Sequence, residues 1–200
     1  MSLLFEAIRL QDGVFHNLDF HASRMNQSRK TLFGSADFID PTQLLAIPSG
    51  CEKGIFKCKI IYGAQVTEIL FQPYTPRTIQ TLKLVEDTSI TYNHKFTDRE
   101  RLNILFEKRG AFDEILIVKE GLITDTSFSN ILFYNGIQWF TPSTPLLRGT
   151  MQSALLSRKL IFEKPIRPED LKNFRHARLV NAMLPFETAK DIPITSIYFT

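Results

Sequence analysis

Apolar and polar residues alternate along "LLFEAIRLQDGVFHNLDF", on either side of Asp12-Gly13. This period of two is typical of half-buried strands, and an Asp-Gly pair favours a tight hairpin turn. A helix is predicted next, roughly from Leu18 to Phe33. It should end at Gly34, because glycine readily adopts the left-handed conformation found after helices.

The following segments predict a short helix and then a run of strands. In "DPTQLLAI", Asp40 can cap a helix and Pro41 suits its first turn. Three runs rich in strand-forming residues come next, and we interpret them as an antiparallel meander. They are "GIFKCKIIYG", "QVTEILFQPY" and "TIQTLKLVED".

A short amphipathic helix is predicted in "TDRERLNILFEKRGA", with Thr97 or Asp98 as its cap. Three consecutive antiparallel strands should follow in residues 113–143, with turns at Glu120-Gly121 and Asn135-Gly136.

The C-terminal part should contain two further helices and two strands, which we locate in "RGTMQSALLSRKL", "RPEDLKNF" and "ARLVNAMLPFETAKDIPITSIYF". Strands and helices in this mixed order predict an α+β fold with two packed lobes. We place the smaller lobe at residues 1–75 and the larger lobe at residues 76–200.

Composition and charge limit the classes of partner and location that we expect for the protein. The chain has 200 residues, is 44% hydrophobic and carries a formal charge of +3 without a block of like charges. It should therefore bury a substantial core, and nucleic acid is not expected as a partner. The start of the sequence has no pattern typical of a secretory leader, and no segment has the length and apolarity of a membrane span, so we expect a cytoplasmic protein.

The two cysteines do not indicate a metal site or a disulfide framework. Cys51 and Cys58 have six residues between them and no paired histidine motif nearby. This spacing matches neither the usual zinc ligands nor a small disulfide-rich domain. We expect free thiols and no bound metal.

Two charged residues attract attention as candidate catalytic groups. Lys95 lies between a strand-like segment and the helix predicted after it, and a lysine becomes a nucleophile when its surroundings favour the neutral amine. Asp125 lies among apolar and hydroxyl residues, where a carboxylate needs a compensating partner such as a protonated pyridine nitrogen. The alternatives are a surface lysine, and an aspartate that caps a turn or bonds Thr126 and Ser127.

A phosphate-binding feature is predicted at Gly149-Thr150, where a helix N-terminus offers backbone N–H groups. His21 and Arg24 are three residues apart on one helix face, and a guanidinium suits a phosphate dianion. Arg24 could instead pair with a carboxylate such as Asp19, and Thr150 could be a plain cap. A lysine nucleophile, a carboxylate for a ring nitrogen and a phosphate cradle are the parts that bind pyridoxal 5′-phosphate (PLP).

Five blocks of sequence occur in a characteristic order. They are "FEAIRLQDGVFHNLDFHASRM", "NHKFTDR", "DEILIVKEGLITDTSFSNILF", "WFTPSTPLLRGTMQ" and "LVNAMLPFETAKDIPI". Together they resemble the class IV aminotransferases, which are the fold-type IV PLP enzymes. Within this family the sequence is most similar to 4-amino-4-deoxychorismate lyase, which forms p-aminobenzoate and pyruvate in folate synthesis.

The resemblance implies a homodimer that binds PLP and acts on a small anionic amino substrate. It implies that Lys95 bonds PLP covalently and that Asp125 occupies the position of the glutamate that pairs with the pyridine nitrogen. It further implies phosphate contacts from Arg24 and Gly149-Thr150, and a cofactor-contacting turn at Asn181.

Three features depart from the family pattern. Asp125 replaces a glutamate, Gln152 stands where an arginine is usual, and the segment that normally precedes "FE" is shorter. The alternatives to the lyase are a transaminase for branched-chain or D-amino acids, or a PLP-binding member without catalysis. No motif selects a ligand for the substrate carboxylate among Arg148, Arg175 and Arg178.

Overall fold

The computed structural model describes residues 2–199, which form two compact units. Among these residues, the first unit contains 2–76 and 94–98, and the second contains 77–93 and 99–199. The first unit thus ends near residue 76 but also includes residues 94–98, and the division into lobes at residues 75 and 76 stays a prediction. Lys95 therefore belongs to the first unit, whereas the sequence-based division assigned it to the second.

The first unit contains a four-stranded antiparallel sheet in the order β2-β1-β3-β4. Its strands are β1 (Leu4–Gln11), β2 (Val14–Phe15), β3 (Ile55–Tyr62) and β4 (Val66–Pro73). Its helices are α1 (Leu18–Phe33) and α2 (Pro41–Leu44). The hairpin at Asp12-Gly13, the end of α1 at Gly34 and the Asp40 cap of α2 are confirmed.

The core of the first unit lies between its sheet and α1. Alternate residues of β1 and β3, including Leu4, Ile8 and Ile60, pack with Met25 of α1. The period of two along the strands and the helical face of α1 therefore direct their apolar side chains into one layer.

The second unit contains a nine-stranded mixed sheet. Its strands are β5 (Leu82–Glu86), β6 (Glu114–Lys119), β7 (Leu122–Thr126), β8 (Asn130–Tyr134), β9 (Trp139–Pro142), β10 (Ile161–Lys164), β11 (His176–Val180), β12 (Asp191–Pro193) and β13 (Ile197–Tyr198). The order is β10-β9-β8-β7-β6-β5-β13, and β11 pairs with both β8 and β12. The helices are α3 (Glu100–Glu107), α4 (Thr150–Ser157) and two 3₁₀ helices, at Pro168–Asn173 and Ile194–Ser196.

The C-terminal part contains four strands, β10 to β13, whereas two were predicted. Three further predictions about these elements were wrong. β5 does not extend a meander with β3 and β4, because it pairs in parallel with β6 in the other sheet. The segment "LITDTSFSNILF" forms two strands, because Ser127 binds Glu114 and Thr126 binds Ser129 at a turn.

The third difference concerns the start of α3. The N-cap position is Arg99, and neither Thr97 nor Asp98 occupies it. The Thr97 backbone N–H and hydroxyl both donate to the Leu3 carbonyl, at 2.9 Å and 3.0 Å. Thr97 therefore binds the residue that precedes β1 instead of capping the helix.

The remaining features agree with a mainly antiparallel α+β fold. Cys51 is half-buried, Cys58 is buried, and both are free thiols. None of the helices within residues 2–199 has the length and apolarity needed to cross a membrane.

Candidate active site

In the first unit, the fully buried carboxylate of Glu6 holds Arg24, the arginine that is predicted to bind phosphate. Glu6 lies on β1, and it accepts a 2.6 Å hydrogen bond from His21 Nδ1 on α1. Arg24, one turn further along α1, donates from Nε to Glu6 Oε1 at 3.0 Å and from Nη2 to Glu6 Oε2. The Arg24 guanidinium is thus held by a two-point contact with a carboxylate.

The charges of this cluster follow from its burial. Burial alone would raise the pKa of Glu6, but the Arg24 charge and the His21 hydrogen bond lower this pKa from 4.5 to about 2. Burial lowers the pKa of His21, opposed by its bond to Glu6, and the Arg24 and Lys95 charges lower it further. His21 is therefore a neutral donor, while Glu6 and Arg24 form the ion pair.

Lys95 lies beside the same strand. Phe5 N–H donates to the Lys95 carbonyl at 2.9 Å, and Leu4 forms an isolated antiparallel bridge with Phe96. The half-buried side chain places Nζ 4.8 Å from the centre of the Phe5 ring, and Lys59 Nζ lies 5.0 Å from that ring. Backbone bonds to β1 therefore position Lys95, which is not an exposed lysine on a loop.

Asp125 lies in the second unit at the end of β7, with 6% of its surface exposed. Asn130 Nδ2 donates to Asp125 Oδ1 at 2.7 Å, and Leu147 N–H donates to Asp125 Oδ2 at 3.1 Å. These donors are neutral amides, so the bonds satisfy oxygen atoms without supplying a positive charge. The proposed alternative partners, Thr126 and Ser127, bind Ser129 and Glu114.

The predicted phosphate feature begins α4. Gly149 is its N-cap residue and supplies no side-chain cap, and the first backbone bond of the helix runs from Ser153 N–H to Gly149 O. The N–H groups of the first turn precede this bond and have no partner within the helix. A Cβ atom at Gly149 would lie 2.0 Å from Asn130 Oδ1, so a side chain cannot be accommodated without movement.

Gln152, which stands where the family usually has arginine, is fully buried in the first turn of α4. Its Nε2 donates to Thr141 Oγ1 at 2.8 Å, whereas its Oε1 has no hydrogen-bond partner among the described residues. A neutral amide avoids the cost of burying an uncompensated charge at this position.

Asn181 connects two segments of the second unit. Its Nδ2 donates to Ser129 Oγ at 2.8 Å, and its Oδ1 accepts from the backbone of Met183 and Leu184. Both ends of this amide thus contact protein groups. A direct contact with a cofactor stays a prediction.

The three arginines considered for a substrate carboxylate all have protein contacts. Arg148 pairs with Glu163 at 2.5 Å, and Arg178 pairs with Asp191 at 2.7 Å and lies over Trp139. The Arg175 guanidinium lies against Gly136. These contacts do not select one of them as a substrate ligand.

The sequence analysis did not identify the residues that hold the predicted site residues in place. Glu6 and Asn130 lie within the quoted blocks, but each acts through a partner that is distant along the chain or on a neighbouring strand. Glu114 is also buried, where burial raises its pKa against the lowering effect of hydrogen bonds from Ile115 and Ser127. An acidic residue within an otherwise apolar strand is the signal that could have identified Glu6 and Glu114.

Comparison with models of protein families identifies the family of this chain. The family model described as "Amino-transferase class IV" matches residues 64–192, more than half of the chain. The protein belongs to the class IV aminotransferase family. Members of this family depend on PLP, and the fold-type IV prediction is confirmed.

Individual relatives cover nearly the whole chain. An uncharacterised protein of Haemophilus influenzae is 35% identical over 182 residues, which cover 90% of this chain and 97% of that protein. The crystal structure of a candidate 4-amino-4-deoxychorismate lyase from Haemophilus somnus is 32% identical, with a TM-score of 0.88. The match covers 93% of this chain and 98% of that one.

A more distant structure shares the fold. A hypothetical aminotransferase from Mycobacterium tuberculosis in its PLP-bound form is 16% identical, with a TM-score of 0.75. The match covers 96% of this chain and 80% of that chain.

The residues of the chain fit PLP by their chemistry. Asp125 is a buried carboxylate bonded by neutral amides, which suits a cationic ring nitrogen. The N-terminus of α4 carries a glycine cap and suits a phosphate. Lys95 carries a primary amine.

Replacing Glu6 with glutamine should give a pH-dependent loss of stability. The lowered pKa of Glu6 means that its charged form stabilises the fold above pH 4.5, and that this stabilisation disappears as the pH falls towards 2. The shift corresponds to about 3 kcal/mol at neutral pH. Urea unfolding should show that the difference between wild type and Glu6→Gln shrinks by about 2 kcal/mol between pH 7 and pH 3.

The control for this experiment is Glu68→Gln, which changes an exposed carboxylate of the same sheet. Its difference from wild type should be small at every pH. A Glu6→Gln difference that stays constant down to pH 3 would contradict the ion-pair assignment.

Gly149→Ala should destabilise the second unit, because the added methyl group overlaps Asn130 Oδ1. The expected cost is about 1–3 kcal/mol, measured by urea unfolding. Gly63→Ala is the matched control, since its Cβ would make only ordinary contacts of 3.5 Å and longer. Equal effects of the two substitutions would show that the Asn130 contact is unimportant.

Proposed function

We propose that the protein is a PLP-dependent lyase that converts 4-amino-4-deoxychorismate to p-aminobenzoate and pyruvate. The observation that carries this proposal is the likeness to the candidate lyase from Haemophilus somnus, which extends over 93% of this chain at 32% identity. The proposal places the enzyme in folate synthesis, as a cytoplasmic homodimer.

Each predicted site residue receives a role in this proposal. Lys95 bonds the cofactor covalently, and Asp125 binds the pyridine nitrogen. Gly149, Thr150 and Arg24 bind the phosphate, while Asn181 lies at a cofactor-contacting turn. The contacts of Arg24 with Glu6 support its role, because they fix the orientation of the guanidinium.

The reaction requires a proton transfer that the chain can perform. When bound, PLP accepts the electron pair left on the substrate carbon as its proton departs. The Lys95 amine is the natural general base for this proton. Asp125 keeps a proton on the ring nitrogen, since its carboxylate stabilises the cationic form.

Loss of pyruvate and formation of an aromatic ring would make the lyase reaction strongly favourable. In a transaminase the same residues would hold PLP, Lys95 would return the proton as well as remove it, and the product would be a keto acid. The residues that line the substrate therefore decide between these outcomes, and product analysis distinguishes them.

Lys95 should be the site of a reducible PLP adduct. After incubation with PLP and reduction with borohydride, peptide mass mapping should find a phosphopyridoxyl group on the peptide that contains Lys95. Lys95→Ala should lose this adduct. Lys59→Ala, which removes the other lysine beside Phe5, should retain it.

An adduct scattered over several lysines, or one that persists in Lys95→Ala, would contradict the assignment of Lys95. This test concerns the anchor alone and is independent of the substrate.

With 4-amino-4-deoxychorismate, the holoenzyme should release p-aminobenzoate and pyruvate in equal amounts. Asp125→Asn removes the charge that holds the ring proton and should lower kcat by about 100-fold or more. Chromatography and a coupled pyruvate assay would measure both products. Keto-acid formation from branched-chain or D-amino acids, without p-aminobenzoate, would support a transaminase, and PLP binding without turnover would support a non-catalytic protein.

A further inference from the structure

Asn130 connects the two predicted PLP-binding features of the second unit. It is buried at the start of β8, opposite Asp125 of β7 in the sheet register. Its Nδ2 donates to Asp125 Oδ1 at 2.7 Å and to the Leu147 carbonyl at 3.0 Å. One amide nitrogen thus binds both the carboxylate and the loop that leads into α4.

Leu147 is held at both of its backbone groups. Its N–H donates to Asp125 Oδ2 at 3.1 Å, and its carbonyl accepts from Asn130. Asp125 and Asn130 also bind one another, so these three residues form a closed ring of hydrogen bonds. Any movement of the loop at residue 147 therefore disturbs the Asp125 carboxylate as well.

The chemistry of the partners fixes the orientation of the Asn130 amide. A carboxylate and a carbonyl can only accept, so the nitrogen must face them. The amide oxygen then faces Gly149, where a Cβ atom would lie only 2.0 Å away. The glycine cap of α4 thus lies directly against the opposite side of the same amide.

We infer that Asn130 is a positioning residue that fixes the Asp125 carboxylate and the Leu147–Gly149 loop in one arrangement. The inference rests on the proposed binding of PLP. If PLP binds as proposed, a single side chain orients both the carboxylate for the ring nitrogen and the loop for the phosphate. Asparagine suits this task because its nitrogen carries two donors, whereas serine has one and an ionised aspartate has none.

The first test uses the protein without cofactor and follows amide hydrogen exchange. In Asn130→Ala, the Leu147 amide should exchange at least about tenfold faster, because local opening of the loop becomes easier. The amides of Ile131 and Phe133 should change less than about twofold. Unchanged exchange at Leu147 would overturn the inference.

The second test compares the affinities of PLP and pyridoxal, which lacks the phosphate. In Asn130→Ala, the ratio of the pyridoxal dissociation constant to the PLP dissociation constant should fall at least about tenfold. The reason is that a loosened loop loses phosphate-specific affinity, which weakens the binding of PLP but not that of pyridoxal. A merely structural weakening would reduce both affinities equally and leave the ratio unchanged, which would overturn the inference.

Asn135→Ala is the matched control for both tests. Asn135 follows the same strand, and its side-chain oxygen accepts from the backbone N–H groups of the exposed residues Ile137 and Gln138. Its Leu147 exchange and its affinity ratio should equal those of wild type. A change of the same size in this variant would show that any disturbance of β8 has these effects and would overturn a specific role for Asn130.

Failure of the proposed function, and failure of the Asn130→Ala variant to fold, can each be distinguished from failure of the inference. If wild type binds neither PLP nor pyridoxal, the proposed function fails, while hydrogen exchange still tests the role of Asn130 in holding the loop. If Asn130→Ala does not fold, Asn130→Ser is used. Its single, shorter donor cannot bind both acceptors, so Leu147 should still exchange faster than in wild type, and unchanged exchange would overturn the inference.

Discussion

The burial of carboxylates is the constraint on which both units of the structure depend. Glu6, Asp125 and Glu114 are all buried, and protein groups must replace the hydrogen bonds and the solvation that water would supply to each carboxyl group. The three sites solve this problem differently. Glu6 binds the Arg24 cation, Glu114 binds the backbone and hydroxyl of Ser127, and Asp125 binds two neutral amides.

These differences separate the functions that the three carboxylates can perform. Glu6 remains ionised because Arg24 and His21 overcome its burial, so it is suited to fixing the orientation of a guanidinium. The pKa of Glu114 is raised by burial, and its bonds hold the turn between β7 and β8. Asp125 is tied to the loop before α4, which makes it the carboxylate whose position is coupled to the proposed phosphate site.

The coupling also gives a physical reason for aspartate where the family usually has glutamate. Asp125 and Asn130 are direct partners across β7 and β8, and their side chains meet at 2.7 Å. Such cross-strand neighbours are only about 5 Å apart at Cβ, so two short side chains suffice to join them. A glutamate would extend one methylene further and could not keep both this bond and the Leu147 bond in the same geometry.

Local signals in the sequence predicted most elements, whereas partners distant along the chain escaped prediction. Asp12-Gly13, Gly34 and Asn135-Gly136 act through the conformations of a few residues, and their turns and helix end were identified correctly. The sheet to which β5 belongs depends instead on pairing with β6, beyond α3. Likewise, a helix cap at Thr97 is locally reasonable, but Leu3 binds the same groups.

Some predicted site residues hold the structure together through their side chains, whereas Lys95 is held in place by its backbone. The amides of Asn181 and Asn130 join segments of the second unit, so replacing these side chains disturbs the structure itself. The segment of Lys95 is attached to β1 through backbone bonds, from Phe5 N–H to the Lys95 carbonyl and from Thr97 N–H to Leu3. Because that attachment does not depend on the Lys95 side chain, the fold can keep the segment in place while Nζ exchanges partners, as the proposed alternation of Lys95 between cofactor anchor and base requires.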